Sequence, residues 1–205
     1  LQGYAVHEFK IAPFLITLAG QFLMRGMCAV VSTISIPITN DFFKSAALAK
    51  ISWVTASGSR PKLYYYVFFA IAIVIIAWYI LRFTRFGRAV YAVGSNEQSA
   101  QYMGLNVKGV KVGVYAINGF CSALGGILFS FYTLAGYSLQ NMGMELDAIS
   151  SAVIGGTLLT GGVGTVIGSM VGVLIQGIIQ TIVTYQNLNT WWTKVTIAAI
   201  LCFFI

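Results

Sequence analysis

Two acidic residues close together, Glu145 and Asp147, are the side chains of this sequence best suited to acid and base chemistry. A carboxylate pair can move protons when one member holds its proton and the other does not. These two residues stand directly before an apolar segment, however. Asp147 could cap a helix there, and both acids would favour the positive end of that helix. We therefore interpret the pair as a helix start.

Other residue types that build catalytic sites are sparse. His7 is the only histidine, so the sequence excludes a histidine-based triad. Cys28, Cys121 and Cys202 lie in apolar segments without a spacing pattern and are interpreted as packing residues. No glycine-rich stretch ends in Lys followed by Ser or Thr, and no G-x-G-x-x-G is present, so no ATP-binding motif is visible. These residues argue against an enzyme, including one embedded in a membrane.

The composition is that of a polytopic membrane protein. Of 205 residues, 58% are hydrophobic and only 8% are charged, whereas soluble domains carry about a quarter charged residues. The net charge of +7 suits loops that face an anionic membrane surface. The basic residues are dispersed beside apolar segments, which argues against a nucleic-acid partner and leaves membrane lipid as the expected surroundings.

The apolar segments predict an all-α bundle that forms a single transmembrane domain over residues 1–205. The segment Ala148 to Thr160 is too short to cross alone, since a span needs ~20 residues. Gly161 and Gly162 break it, so we predict a half-helix that enters, turns at the glycines and continues as a full helix. The chain starts without Met and stops in an apolar run, so we expect a fragment that lacks helices at the start and the end of its last helix. The predicted spans are Ile11 to Ser35, Leu63 to Leu81, Val112 to Ala135, Val163 to Thr184, and a last one that begins at Trp191.

Arg25 is the one charge well inside a predicted span. A buried arginine is costly and usually faces a cavity or a partner. Thr17 and Gln21 stand two turns and one turn before it, on the same side of a helix. Either these three residues line a path for a polar solute, or Arg25 reaches the membrane interface or pairs structurally.

Small residues recur at four-residue spacing in two predicted spans. Gly164, Gly168 and Gly172 are expected on one helix face. Ser122, Gly126 and Ser130 repeat the spacing in another helix. Small residues let helix backbones approach closely in lipid. Packing within the chain is the favoured interpretation, and a core around a translocation path or a seam between two copies stays open.

The longest polar passage between spans runs over residues 82–112 and carries three arginines, two lysines and one acid. Basic loops between membrane helices usually lie in the cytoplasm. Within it, Asn96 to Leu105 predicts a short helix that Asn96 caps, with Glu97 in its first turn. Gly94 precedes this helix and Gly104 ends it. Ala100, Met103 and Gly104 would share one face, suited to a groove in another protein.

Two blocks carry a resemblance to a known family. The block from Gly87 to Val107, G-R-A-V-Y-A-V-G-S-N-E-Q-S-A-Q-Y-M-G-L-N-V, resembles the coupling loop of ribose-type ABC sugar-import permeases. The block from Glu145 to Gly164, E-L-D-A-I-S-S-A-V-I-G-G-T-L-L-T-G-G-V-G, resembles the second signature of that family and includes Gly155 and Gly156. Pro37-Ile38-Thr39 and Trp191-Trp192 are most similar to members that import galactofuranose.

The resemblance implies a permease subunit in the bacterial inner membrane that imports galactofuranose, ribose or another pentose or hexose. It implies three partners: a cytoplasmic ATPase, a periplasmic sugar-binding protein and a second permease subunit, identical or related. ATP and Mg would bind to the ATPase, and no cofactor is expected in this chain. Gly94, Asn96, Glu97, Ser99, Ala100, Met103 and Gly104 would form the coupling element. Thr17, Gln21 and Arg25 would line the sugar path, and Glu145 and Asp147 could act in gating or receptor docking.

A different class of transporter is the alternative. A channel or secondary carrier would move a small polar solute without ATP. Carriers often couple to protons or sodium through carboxylates in the membrane. The predicted spans contain none apart from Glu145 and Asp147 near a loop, which argues against proton coupling.

Overall fold

The structure is a computed structural model that describes residues 2–9, 11–48, 50–52, 62–186, 191–192, 194–195, 198–199 and 202. The predicted all-α membrane fold is confirmed, with short strand pairs added in loops. The helices are α1 (Gln2–Glu8), α2 (Pro13–Val31), α3 (Asp41–Leu48), α4 (Tyr65–Phe83), α5 (Arg85–Ser95), α6 (Glu97–Tyr102), α7 (Val107–Thr133), α8 (Met144–Ile154) and α9 (Val166–Tyr185). The strands are β1 (Ile36–Pro37), β2 (Lys50–Ser52), β3 (Lys62–Tyr64) and β4 (Ala135–Gly136).

Four of the described helices are long and apolar enough to cross a membrane: α2, α4, α7 and α9. Two of these helices differ from the predicted spans by including basic residues. α4 continues through Arg82, and α7 begins early enough to include Lys108 and Lys111. Long basic side chains are tolerated at span ends because they reach toward the headgroups. The last predicted span, from Trp191, lies largely outside the described residues.

The chain forms two compact units, and the first contains Leu1–Ile76 and Lys108–Gln140. At one end, the Lys108 ammonium lies 3.1 Å from the Glu8 carboxylate. At the other end, β1 pairs with β4 in antiparallel fashion, with Ile36 opposite Gly136. Since α2 follows Glu8 and leads to β1, and α7 contains Lys108 and leads to β4, the two helices run in the same direction.

The second unit contains Ala77–Val107 and Asn141–Ile205. Its centre is an antiparallel pair of helices, α8 and α9. Gly155 at the end of α8 meets the Gly168 backbone near the start of α9, while Ser151 meets Gly172 one turn further on. This unit holds α5, α6 and the second family block. The predicted single domain over residues 1–205 stays a prediction.

Candidate functional site

The segment predicted as a polar loop over residues 82–112 is mostly helical. Helix α5, which the sequence pattern did not predict, follows α4 with only Thr84 between them. The Thr84 side chain caps α5 by accepting from the Gly87 amide at 3.2 Å, and its hydroxyl donates to the Ile80 carbonyl at 2.6 Å. Gly87 is buried, and a Cβ there would collide with the Leu81 carbonyl. The bend between α4 and α5 therefore requires glycine, which sequence reasoning took as part of a loop.

The short helix predicted from Asn96 to Leu105 is present as α6, with the shorter bounds Glu97–Tyr102. The Asn96 side chain caps it by accepting from the Ser99 amide at 2.9 Å, and Glu97 lies in its first turn. Gly104 has a φ of +78°, a left-handed conformation that favours glycine, and the Leu105 amide closes the end by donating to the Ala100 carbonyl at 3.1 Å. Local capping signals therefore define both ends of α6.

The predicted docking face of α6 needs correction. The Ala100 side chain is 0% exposed, so it packs inside the protein and cannot meet a partner. The helix ends at Tyr102, which places Met103 and Gly104 beyond its regular face. Met103 is 68% exposed and Tyr102 is 89% exposed. Tyr102 was missed, although an aromatic residue within a polar helix was the available signal.

The second family block folds as a short helix followed by a glycine-rich turn, which we define as residues 155–165. The expected break at Gly161 and Gly162 is wrong, because α8 ends at Ile154 with Gly155 as its C-cap. Gly156 then has a φ of +85°, which no continuing helix adopts. Within the turn, the Leu158 amide donates to the Val163 carbonyl at 3.1 Å. A half-helix leading to the full helix α9 is therefore present, with an earlier break than predicted.

The tandem glycine motif is split between two elements. Gly164 belongs to the glycine-rich turn, because α9 starts at Val166 after the N-cap Thr165. Gly168 and Gly172 lie on α9, where a Cβ would collide with the carbonyls of Gly155 and Ser151 respectively. The expectation of one helix face for all three is therefore wrong. Packing within the chain, the favoured interpretation, is the role of Gly168 and Gly172.

On α7, the small residues Ser122, Gly126 and Ser130 repeat the four-residue spacing, but no backbone among the described residues packs against Gly126. A Cβ at Gly126 would meet no described atom within 4 Å. The Ser130 hydroxyl donates to the Ile127 carbonyl of its own helix at 2.7 Å.

Helix α5 contacts the glycine-rich turn directly. The Tyr91 hydroxyl donates to the Gly164 carbonyl at 2.9 Å. A Cβ at Gly94 would lie 2.7 Å from the amide nitrogen of Gly162, and one at Gly162 would lie 2.7 Å from the Ser95 Cα. This contact joins the two family blocks, which are far apart in sequence. No local sequence signal could have revealed it.

Two cavities flank the contact between α5 and the turn. One, of about 350 Å³, is apolar, and its walls include Leu81, Val90 and Leu158. The other, of about 370 Å³, is lined by Trp78, Arg82 and Arg88 together with the start of α9. The arginines give this side of the second unit a positive charge, in keeping with a cytoplasmic position.

The acids Glu145 and Asp147 lie in the first turn of α8, as predicted for a helix start. The expected capping by Asp147 is wrong, because Gly143 is the N-cap and no side chain bonds there. Gly143 has a φ of +92°, which sets the chain direction before the helix. Asp147 instead contributes its backbone carbonyl, which accepts from the Ser150 hydroxyl at 2.9 Å. Their position at the positive helix end explains both carboxylates without catalysis.

The three polar residues of α2 lie on one side of the helix. Thr17, Gln21 and Arg25 are half-buried, whereas Phe22 and Leu23 are exposed. The Thr17 hydroxyl lies 3.0 Å from the carbonyls of Pro13 and Phe14 of its own helix. These bonds satisfy the Thr17 hydroxyl within its own helix. The role of Thr17, Gln21 and Arg25 as the lining of a path stays a prediction. Among the described residues, no group of three His, Cys, Asp or Glu is arranged to hold a metal ion.

Known proteins resemble the chain over its whole length. Residues 1–205 match the family described as "Branched-chain amino acid transport system / permease component". The inner membrane ABC transporter permease protein YjfF of Escherichia coli is 44% identical over 99% of this chain. The fructose import permease protein FruG of Bifidobacterium longum is 33% identical over 100% of it, and the ribose import permease protein RbsC of Haemophilus influenzae is 34% identical over 98%.

The chain spans 60–61% of the length of these relatives. No solved structure matches it. The resemblance to ABC import permeases, inferred from the two sequence blocks, is confirmed. The chain belongs to the permease-component family of branched-chain amino acid type transport systems.

Proposed function

We propose that this chain is part of the permease subunit of an ABC importer that carries a monosaccharide across the bacterial inner membrane. The family match over the whole chain supports the permease role. Relatives named as import permeases for fructose and ribose support a monosaccharide as the cargo. Galactofuranose, ribose and other pentoses or hexoses are the candidate sugars, with Thr17, Gln21 and Arg25 as the proposed polar lining of the path.

The observation that carries the proposal is the exposed surface of α6. Its ends are fixed by the Asn96 cap and by Gly104, so the helix is ordered, yet Tyr102 is 89% exposed and Met103 is 68% exposed. Exposed aromatic and methionine side chains are typical anchors at protein interfaces. A short helix of this kind on the cytoplasmic side fits a groove of a separate ATPase, which would bind ATP and Mg.

The proposed mechanism is alternating access. A periplasmic binding protein delivers the sugar to two permease subunits, and the ATPase has different affinity for their outward-facing and inward-facing states. ATP binding shifts the population between those states by that difference in affinity. Loss of the α6 contact therefore uncouples ATP hydrolysis from transport while the membrane helices stay folded.

A cross-link tests the coupling role. Ser99 lies on α6 with an exposed side chain, and only its backbone amide is used by the Asn96 cap. In the full-length protein, we expect Ser99→Cys to cross-link to a cysteine in the groove of the ATPase encoded beside it. The yield should change when ATP is added, because ATP alters the ATPase conformation. Electrophoresis of the isolated complex measures that yield.

The matched control is Gln140→Cys, which places the same group at an exposed position in the loop before α8. It should give no cross-link under the same conditions. No cross-link from Ser99→Cys, with both proteins expressed and sugar uptake intact without ATP, would contradict the importer. That result would favour the channel or secondary carrier.

A further inference from the structure

We infer that α5 and the glycine-rich turn move together as one rigid body, with Tyr91 as the positioning residue whose hydrogen bond holds them together. The inference rests on the proposed function, since it names the part of the permease that moves when the ATPase moves α6. Helix α6 is joined to α5 through Asn96 alone, which is both the C-cap of α5 and the N-cap of α6. A displacement of α6 therefore acts on α5 directly, because only one residue separates the two helices.

Two kinds of contact join α5 to the turn. The first is the partly buried hydrogen bond of 2.9 Å from the Tyr91 hydroxyl to the Gly164 carbonyl. The second is a close approach of two backbones, with room for no side chain at Gly94 or at Gly162. A tight backbone contact resists sliding, and a directional hydrogen bond fixes the distance between the elements. The turn must therefore follow when α5 shifts.

The turn passes this displacement to α9, which it contacts near both of its ends. Thr165 ends the turn and caps α9 by accepting from the Gly168 amide at 3.0 Å. Thr157, near the other end, faces Ser169 of α9 with a hydroxyl separation of 3.5 Å. The φ angles of +90° at Gly161 and +78° at Gly162 belong to a backbone that changes direction sharply between these anchors. The adjoining cavity of about 350 Å³ leaves space into which the rigid body can move.

The first test removes only the hydrogen bond. Tyr91→Phe in the full-length protein, reconstituted with its ATPase and binding protein in proteoliposomes, should lower sugar uptake per ATP hydrolysed. The expected loss is about three- to tenfold, the factor by which one hydrogen bond shifts an equilibrium. The control is Tyr185→Phe, the same change at a tyrosine 85% exposed at the end of α9. ATP hydrolysis and the melting temperature should stay near the wild-type values.

A second variant tests the backbone contact. Gly94→Ala places a Cβ 2.7 Å from the Gly162 nitrogen and should separate α5 from the turn. Its control is Gly177→Ala on α9, where a Cβ meets no described atom within 4 Å. We expect Gly94→Ala to lower uptake per ATP and Gly177→Ala to leave it unchanged.

The outcomes separate the link from the importer itself. Wild-type uptake per ATP in both Tyr91→Phe and Gly94→Ala would overturn the link and leave the proposed function standing. ATP-independent uptake by the wild-type protein would overturn the proposed function and the link with it. Uptake and ATP hydrolysis that fall together with the melting temperature would show a structural role only, and would also overturn the link.

Discussion

Gly168 and Gly172 show how a missing side chain contributes to stability within a membrane helix. A Cβ at Gly168 would collide with the carbonyl of Gly155, the C-cap of α8, and one at Gly172 with the carbonyl of Ser151 in α8. The two helices therefore approach more closely than larger residues allow. In lipid no hydrophobic drive brings two helices together, and dispersion contacts at close range take its place. Gly177 on the same helix has open space instead. The same residue type therefore has two different roles on α9.

This difference predicts opposite outcomes for one substitution. Gly168→Ala should destabilise the full-length protein by about 1–3 kcal/mol, because overpacking forces the backbones of α8 and α9 apart. Gly177→Ala should be neutral or slightly stabilising, since alanine favours the helix without a clash. Thermal unfolding in detergent measures both variants. Equal melting temperatures would contradict the close packing of α8 on α9.

At the scale of elements, local sequence signals were sufficient to predict α6 but insufficient to predict α5. Asn96 and Gly104 define α6 through caps that involve only neighbouring residues. Residues 82–112 were predicted as a polar loop, but Gly87 and Gly94 are required by contacts with Leu81 and Gly162 that the sequence does not reveal. Tertiary packing similarly places the end of α8 at Gly155. Membrane spans were predictable from hydropathy, whereas the contacts between the two family blocks were not.

The cap of α6 leads to a prediction for that element. Asn96→Ala should destabilise α6 by about 1 kcal/mol, because the Ser99 amide loses its acceptor. Asn96→Ser keeps a capping oxygen and should stay close to wild type. Hydrogen–deuterium exchange of residues 97–102 measures the effect directly, and exchange in the alanine variant should be faster. Unchanged exchange there would show that tertiary contacts, rather than the cap, hold the helix.

At the scale of the molecule, contacts within the first compact unit fix the relative direction of α2 and α7. The Glu8–Lys108 pair and the β1–β4 ladder lie at opposite ends of α2 and α7. The ion pair is about half exposed, so it contributes little stability. The ion pair is informative about geometry instead, because it holds the starts of α2 and α7 close together, on the same side of the membrane. Since basic loops between spans usually lie in the cytoplasm, we expect that side to be the cytoplasmic one.

The side of the membrane on which each end of α2 and α7 lies is therefore testable. In a full-length protein whose native cysteines are replaced by serine, Thr39→Cys and Gln140→Cys flank the β1–β4 ladder at exposed positions. A membrane-impermeant maleimide should label both from the periplasmic side. Ser99→Cys should react only after the membrane is permeabilised, because we expect α6 and the start of α7 to lie on the cytoplasmic side. Labelling of Ser99→Cys in sealed spheroplasts would contradict the expected orientation. It would place α6 on the periplasmic side, where no cytoplasmic ATPase could bind it.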